Sequence, residues 1–284
     1  MNTENKKFID LENLLRNKNP RLLKILPRFI LNFIRKIIHE DDVNDFIERH
    51  GYKQSFEFAA AILSDFGVNV KVKGAENIPA SGGYIFAANH PIGGMEAMAL
   101  IDTIGKRRTD VKFLVNDILL QLKNFSSIFI PVNTLGKNAV ENLELIDKTY
   151  ASDQAVLVFP AGLVSRKQQG VIKDLEWKKS FITRAKKHQK NIIPVYIEGK
   201  NSDFFYNLAT WRKRFGIKAN LEMFFLPDEM YKQKNKTITL IFGKPVPYTV
   251  FDRTLNDKEW AEKMREQVYA IGEGKQELPL KTID

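Results

Sequence analysis

The chain has 284 residues, of which 44% are apolar, which is enough for one large domain or for one domain with an N-terminal accessory segment. It contains no cysteine, which excludes disulfides, thiolate metal sites and a cysteine nucleophile. The formal net charge of +10 indicates an anionic partner, which on charge alone is a nucleic acid, a membrane surface or an acidic carrier protein.

Residues 1–20 are polar and charged, so no signal peptide is predicted, and no apolar run of about 18 residues predicts a spanning helix. Residues 20–39 repeat apolar side chains every three or four positions, as an amphipathic helix does, and Pro27 is expected to kink or split that helix. One interpretation is an interfacial membrane anchor, and the other is a helix that covers the core. The basic residues of the segment would meet anionic head groups or solvent, respectively: Arg21, Lys24, Arg28, Arg35 and Lys36.

Short apolar strands alternate with longer helices through the middle of the chain. Strands are predicted at 68–72, 84–88, 112–115, 128–132, 155–159 and 192–197, with helices at 55–66, 96–104, 118–123, 137–150 and 177–188. Further on, we predict a helix at 204–215, strands at 221–225 and 237–242, and a final helix at 257–271. The alternation predicts an α/β fold with a mixed, largely parallel sheet flanked by helices, preceded by an N-terminal amphipathic helical segment. We place the N-terminal helical, membrane-associating segment at 1–66 and the main domain at 67–284.

His90 is the histidine whose surroundings indicate chemistry. It follows a predicted strand, and ligands of α/β sheets bind outside the carboxyl ends of strands. The turn at Gly93 and Gly94 would let Glu96, in the first turn of the next helix, reach back to the imidazole ring. A carboxylate bonded to one ring nitrogen fixes the tautomer and leaves the other nitrogen to accept a proton. The alternative is an ordinary loop histidine beside a glutamate at a helix start, and ordinary surface roles are expected for the other three histidines, His39, His50 and His188.

A second loop, Phe-Pro-Ala-Gly-Leu-Val-Ser-Arg at 159–166, also follows a predicted strand. It offers backbone N–H groups, the hydroxyl of Ser165 and the guanidinium of Arg166 to an anionic or carbonyl oxygen, although it could equally be a plain turn. Ser165 has no histidine near it in sequence, so we assign it to binding. No cluster of His, Asp and Glu at ligand spacing predicts a metal site.

Four segments in this order resemble the glycerolipid and lysophospholipid acyltransferase superfamily. The family pattern has Asn-His followed after four residues by Asp, then a Phe-Pro-Glu-Gly-Thr block and an Ile-Pro-Val strand. The matching segments here are, in chain order, Asn89-His90 with Glu96, the segment around Pro131, Phe159-Pro160-Ala161-Gly162, and Ile193-Pro194-Val195. The resemblance implies that 67–284 is an acyltransferase domain with His90 as general base and Glu96 as its orienting carboxylate.

The departures from the family pattern favour one branch of it. The acidic residue is Glu96, one position later than usual, Ala161 replaces the glutamate of the third motif, and Val132-Asn133-Thr134 lacks the usual arginine. A fixed arginine suits a phosphate acceptor, so its absence counts against a lysophosphatidate acyltransferase, which remains the alternative. The His-Pro-Ile-Gly-Gly-Met-Glu and Phe-Pro-Ala-Gly-Leu-Val-Ser-Arg segments are more similar to the O-acyltransferases of bacterial amino-acid lipids (ornithine or glycine lipids) and to the acyltransferase domains of proteins classed as hemolysins.

This branch implies transfer of a fatty acyl group from an acyl carrier protein or coenzyme A thioester to the hydroxyl of a lyso-lipid, with a 3-hydroxyacyl amino acid as acceptor and no metal or other cofactor. It also implies a peripheral enzyme on the cytoplasmic face of the inner membrane, bound to an anionic lipid surface. A non-catalytic lipid or nucleic-acid binder is the alternative of another class, but no nucleic acid is expected, because the chain lacks an aromatic-basic RNA signature and zinc-ligand spacing. The expected catalytic residues are His90 and Glu96, and the expected substrate-binding residues are Asn89, Gly93, Gly94, Asn133, Lys137, Phe159, Pro160, Ala161, Gly162, Ser165 and Arg166.

Overall fold

A computed structural model describes residues 7–132 and 140–275. The helices in these ranges are α1 Leu11–Lys18, α2 Pro20–Ile25, α3 Arg28–Ile38, α4 Glu40–His50, α5 Ser55–Asp65, α6 Met95–Gly105, α7 Val140–Ala151, α8 Ser180–His188, α9 Asp203–Arg214, α10 Leu226–Tyr231 and α11 Asp257–Gly272. The strands are β1 Asn69–Lys73, β2 Tyr84–Ala88, β3 Val111–Asn116, β4 Phe129–Val132, β5 Ala155–Val158, β6 Arg166–Gln168, β7 Val171–Lys173, β8 Asn191–Glu198 and β9 Thr237–Phe242.

Seven strands form one sheet in the order β1-β9-β8-β2-β5-β3-β4. All neighbouring pairs are parallel except β8 and β9, which are antiparallel. The predicted α/β class with a mixed, largely parallel sheet is therefore confirmed. Because β2 lies at the centre between β8 and β5, the loops that follow these three strands open at the same edge of the sheet.

Helices cover both faces of the sheet, and the alternation of side chains along β2 connects the layers. Phe86 and Ala88 pack into a core shared with α5 and α6, whereas Ile85 and Ala87 pack into a core shared with α8 and α11. All four side chains are buried, as expected for a central strand of a parallel sheet. The domain thus has three layers, with the sheet in the middle.

The amphipathic segment predicted at 20–39 is split at Pro27 into α2 and α3, as expected, because proline removes a helical hydrogen bond. Helix α1 was not predicted; it begins after Asp10, whose side chain accepts the N–H of Asn13 at 2.9 Å. Helix α5, inside the predicted segment 1–66, packs against α6 in the main core, and the domain boundary at 66 stays a prediction.

The predicted strand at 221–225 is wrong, because these residues form a 3₁₀ turn, Leu221–Phe225, that leads directly into α10. Short apolar runs do not distinguish strand from helix, so the sequence pattern alone could not decide between them. The antiparallel hairpin of β6 and β7 was not predicted either. None of the helices in the described ranges has the length and apolar character needed to cross a bilayer.

Candidate active site

The candidate site begins where β2 ends, at Asn89. Its side chain is buried and bonds twice to the backbone of Ile197 on β8, with Nδ2 donating to the carbonyl at 2.9 Å and Oδ1 accepting the N–H at 2.7 Å. These two bonds fasten the start of the following loop to the neighbouring strand. The predicted binding residue Asn89 therefore fixes where His90 leaves the sheet.

His90 and Glu96 lie in hydrogen-bond contact, as the turn at Gly93 and Gly94 predicted. The Nδ1 atom of His90 is 2.9 Å from Oε1 of Glu96, which lies in the first turn of α6 and is fully buried. The imidazole ring itself is partly exposed. When Nδ1–H donates to the carboxylate, Nε2 carries the lone pair, which is the arrangement that a general base needs.

Backbone groups keep Glu96 charged. Its carboxylate accepts the N–H of Ile92 at 2.9 Å and the N–H of Gly93 at 2.7 Å. Burial by itself raises the pKa of Glu96, but the hydrogen bond and charge of His90 and the two backbone N–H groups together hold that pKa below its ordinary value. Glu96 is thus an anion that orients the His90 ring.

The glycine at position 93 is required by the backbone and by the packing around it. Its φ of 129° is disfavoured for other residues, and a Cβ there would lie 3.0 Å from Leu226 and 3.3 Å from Val164. A Cβ on Gly94 would lie 3.3 Å from the sulfur of Met230. Since Leu226 and Met230 belong to α10, this helix covers the loop that carries His90.

The Phe-Pro-Ala-Gly loop lies directly beside His90. The ring of Phe159 stacks on the imidazole, with 4.1 Å between ring centroids and 9° between the planes. The N–H of Gly162 donates to the carbonyl of Phe159 at 2.9 Å, and the carbonyl of Pro160 accepts from the N–H of Lys178 at 3.0 Å. The turn through the buried Ala161 is thus closed by its own backbone bonds and places Phe159 against the candidate base.

Ser165 and Arg166 are both buried and are bonded within the protein. The hydroxyl of Ser165 donates to Asp174 at 2.6 Å, and its N–H donates to the carbonyl of His90 at 2.7 Å. The guanidinium of Arg166 pairs with the buried Glu222, 2.8 Å from Nη2 to Oε1. As placed, neither side chain faces solvent. The two remaining predicted binding residues, Asn133 and Lys137, lie outside the described residues.

Asp174 is a site residue that sequence reasoning did not single out. Its buried carboxylate accepts the N–H of His90 at 3.1 Å, the hydroxyl of Ser165 and, at 2.8 Å, the indole N–H of Trp177. Burial raises the pKa of Asp174, and the hydrogen bonds from Ser165, Trp177 and His90 oppose this increase. A single loop aspartate has no local sequence pattern that marks it as buried.

Across the described part of the chain, no three His, Asp or Glu side chains are grouped so that they could hold a metal ion. The chemistry available at this edge of the sheet is a histidine base, its carboxylate partner and backbone N–H groups in two glycine-containing turns. This combination is suited to removing a proton from a hydroxyl beside an electrophilic carbonyl group.

A protein-family model for acyltransferases matches residues 13–276, and the chain belongs to this family. It is 41% identical to the lyso-glycine lipid O-acyltransferase of Bacteroides thetaiotaomicron, over 93% of this chain and 97% of that protein. It is 40% identical to the enzyme of the same name from Phocaeicola vulgatus, over 93% of this chain and 95% of that protein. The protein is therefore an acyltransferase, and the predicted superfamily and amino-acid-lipid branch are confirmed.

Among solved structures, the chain is similar to the 1-acyl-sn-glycerophosphate (LPA) acyltransferase PlsC of Thermotoga maritima. The TM-score is 0.46 and the identity 16%, over 88% of this chain and 95% of that one. This likeness is too distant to support any inference about substrate.

Proposed function

We propose that the protein transfers a fatty acyl group from an acyl thioester to the hydroxyl of a lyso-glycine lipid, a 3-hydroxyacyl-glycine. The observation that carries this proposal is the identity of about 40% with two lyso-glycine lipid O-acyltransferases over nearly the full length of both proteins. The contact between His90 and Glu96 supplies a base for the reaction. The donor is the thioester of acyl carrier protein or coenzyme A.

In the proposed mechanism, Nε2 of His90 removes the proton of the acceptor hydroxyl while the hydroxyl oxygen attacks the carbonyl carbon of the thioester. The tetrahedral intermediate then expels the thiolate, which takes the proton from the imidazolium, so that one ester bond forms and one C–S bond breaks. Glu96 stabilises the imidazolium through Nδ1–H. General base catalysis of this kind contributes about 10²–10⁴-fold to the rate.

Backbone N–H groups are the proposed stabilisers of the oxyanion. The N–H groups of Gly93 and Gly162 already donate to Glu96 and to Phe159. Those of Gly94 and Ala161 have no such partner in the described part of the chain, and we assign them to the oxyanion.

Ser165 and Arg166 were expected to bind substrate, and their burial leads us to propose a different role. Ser165 holds the His90 loop through its bonds to the His90 carbonyl and to Asp174. Arg166 is occupied by Glu222, so it does not supply a free guanidinium for a phosphate or carboxylate of the acceptor. Of the predicted cations, this leaves Lys137 as the candidate for the glycine carboxylate.

We further propose that the enzyme acts peripherally at an anionic membrane surface, on the cytoplasmic face of the inner membrane. Helix α3 supports this, because Phe29 and Phe33 project into solvent beside the exposed basic residues Arg28 and Lys36. A lipid acceptor with one long chain lies in such a surface rather than free in water.

A direct competition assay tests the acceptor. Purified enzyme is given one acyl donor and equal amounts of 3-hydroxyacyl-glycine and lysophosphatidate, and the two acylated products are quantified by mass spectrometry. We expect the diacylated glycine lipid to dominate at least about tenfold, because no arginine occupies 132–134 to pair with a phosphate. A matched His90→Ala preparation measures the uncatalysed background, and preference for lysophosphatidate would contradict the proposal.

A further inference from the structure

Helix α9 has two apolar faces, and the fold uses one of them. Phe205 and Ala209 are buried against the protein. A second stripe consists of Phe204, Leu208, Trp211 and Phe215; we call it the α9 stripe. Steps of four, three and four residues keep its members within about 60° of one line along the helix. Phe204 and Trp211 on α9 and Phe215, the residue that follows it, are 51%, 61% and 61% exposed, which is unusual for three large aromatic side chains so close together.

The apolar surface continues beyond the helix. Leu221 and Phe224 are exposed on the 3₁₀ turn, which packs against α9. The rings of Phe204 and Phe225 are 5.0 Å apart and those of Phe224 and Phe225 are 5.7 Å apart. The α9 stripe and the turn therefore form one continuous patch. Contiguous apolar patches of this kind mark interaction sites in soluble domains.

A buried ion-pair group holds this patch rigid and ties it to the candidate active site. Glu222, on the turn, bonds to Arg212 of α9 and to Arg166, which follows the Phe-Pro-Ala-Gly loop. The guanidinium of Arg166 also lies 5.0 Å from the ring centroid of Phe205, on the buried face of α9. Because unpairing a buried charge is costly, these elements keep a fixed geometry, and the exposed aromatic residues cannot simply fold inward.

Exposed cations lie close in sequence to the end of the α9 stripe. Lys213, Arg214 and Lys218 are exposed, and none of them has an ion-pair partner within the described residues. Aromatic side chains next to unpaired cations suit the interface of an anionic bilayer, where rings enter the acyl boundary and cations meet head groups. An acidic carrier protein would satisfy the cations but would not require an exposed stripe of aromatic rings.

The patch lies close to His90. The turn leads into α10, whose Leu226 and Met230 approach Gly93 and Gly94 of the His90 loop. Helix α3 packs on the same α10, and His39 at its end stacks on Tyr231 with 3.7 Å between ring centroids. The exposed side of α3 and the α9 stripe thus belong to elements that adjoin α10 or the turn leading into it, and α10 itself packs on the loop that carries the proposed base.

We propose that the α9 stripe is a second membrane-docking surface, which inserts Trp211 and Phe215 into the interface of an anionic bilayer and brings the His90 loop to lipid acceptors. This proposal rests on the proposed function in one respect, namely that the enzyme takes its lipid acceptor from the membrane. Helix α3 alone would attach the enzyme at one place and leave its rotation free, whereas two surfaces beside the site fix which edge of the sheet faces the lipid.

Tryptophan fluorescence tests the insertion directly. The chain has three tryptophans, and Trp177 and Trp260 are only 1% and 8% exposed, so Trp211 is the one that lipid can reach. Phosphatidylglycerol vesicles with brominated acyl chains should quench the emission of wild-type protein, and the Trp211→Phe variant should lose this quenching. Absence of quenching in wild-type protein that sediments with the vesicles would overturn the proposal, and so would equal quenching in the variant.

A second variant measures the contribution of the α9 stripe to binding and turnover. Trp211→Ser/Phe215→Ser should weaken binding to phosphatidylglycerol vesicles by about tenfold or more, because two large apolar side chains are lost from the interface. Its turnover should fall with vesicle-embedded acceptor and stay near wild type with a short-chain, water-soluble acceptor. The matched control is Leu143→Ser/Leu145→Ser on α7, where two exposed apolar residues lie on a helix that packs on β4 and α8.

The outcomes separate this inference from the proposed function. Quenching without acylation of lyso-glycine lipid would support the docking surface and contradict the proposed function. Acylation without quenching would support the proposed function and contradict the docking surface. Turnover that falls only with acyl carrier protein as donor, while vesicle binding is unchanged, would assign the surface to the carrier and overturn the membrane proposal.

Discussion

Two fully buried carboxylates act on opposite parts of the same histidine. Glu96 contacts the imidazole ring through Nδ1, and Asp174 holds the backbone N–H of His90. Their surroundings shift their pKa values in opposite directions, because the donors around Glu96 outweigh its burial, whereas burial outweighs the donors around Asp174. We therefore propose that Glu96 stabilises the positive charge of the imidazole ring and that Asp174 holds His90 in position.

Glu96→Gln is expected to lower kcat by about 10²–10⁴-fold while the protein stays folded, because a neutral amide stabilises the imidazolium poorly. Steady-state kinetics beside circular dichroism measure this, with His90→Ala as the reference for a missing base. Unchanged kcat in folded Glu96→Gln would contradict the assigned role.

The same variant has a consequence for acid stability. The pKa of Glu96 is lower in the folded state, so its ionised form stabilises the fold above the ordinary glutamate range, and this stabilisation is lost as the pH falls through the lowered pKa. The free energy of unfolding should thus depend less on acid pH in Glu96→Gln than in wild type.

Asp174→Asn is expected to lower the free energy of unfolding by about 1–3 kcal/mol. The carboxylate accepts hydrogen bonds from three donors, and the amide NH₂ of asparagine would face one of these donors and leave it without an acceptor. We expect kcat to fall with little change in KM, since the His90 loop shifts while the acceptor surface remains. Denaturant unfolding and kinetics measure both effects. Ser165→Ala, which removes one donor to Asp174, should show a smaller change, and a larger change than in Asp174→Asn would contradict the positioning role.

At the scale of elements, α3 has one buried face and one exposed apolar face. Leu31 and Ile37 are buried, and α3 packs on α4 and α10, while Phe29 and Phe33 face solvent. The basic residues of the segment differ in the same way. Arg35 pairs with Glu12 of α1 at 2.6 Å and lies 3.7 Å from the buried Glu40, whereas the others are exposed: Arg21, Lys24, Arg28 and Lys36.

Lys24→Glu/Arg28→Glu should therefore reduce sedimentation with anionic vesicles without altering the thermal midpoint, and added salt should reduce binding of the wild type in the same way. Vesicle sedimentation at several salt concentrations measures this. Arg35→Glu is the contrasting variant, because it places a like charge beside Glu12 and Glu40 and is expected to lower the melting temperature. Equal sedimentation of the double variant and wild type would support the core-covering interpretation alone.

At the scale of the whole molecule, the fold brings close together two exposed apolar surfaces that are far apart in the sequence. The exposed faces of α3 and α9 are separated by most of the chain, yet α10 contacts α3 and follows directly from the turn that packs on α9. The net charge of +10 predicts an anionic partner but not which surface meets it. Under the docking proposal, the surface that meets it is the α9 stripe with its neighbouring unpaired cations.

The sequence by itself determined the features that depend on neighbours along the chain. The alternation of strands and helices predicted the mostly parallel sheet, and the glycines after His90 predicted that Glu96 would reach back across six residues. Both follow from local periodicity and turn chemistry, which act over a few residues. The family resemblance of the same short segments identified the acyltransferase.

Only the tertiary structure decided the contacts between distant residues. Asp174 meets His90 across 84 positions, and Glu222 meets Arg166 across 56. Which buried charge pairs with which depends on how whole elements pack, and such pairs leave no period in the sequence. For the same reason the sequence did not show that Arg166 is buried and paired with Glu222, and its expected contact with substrate stays a prediction.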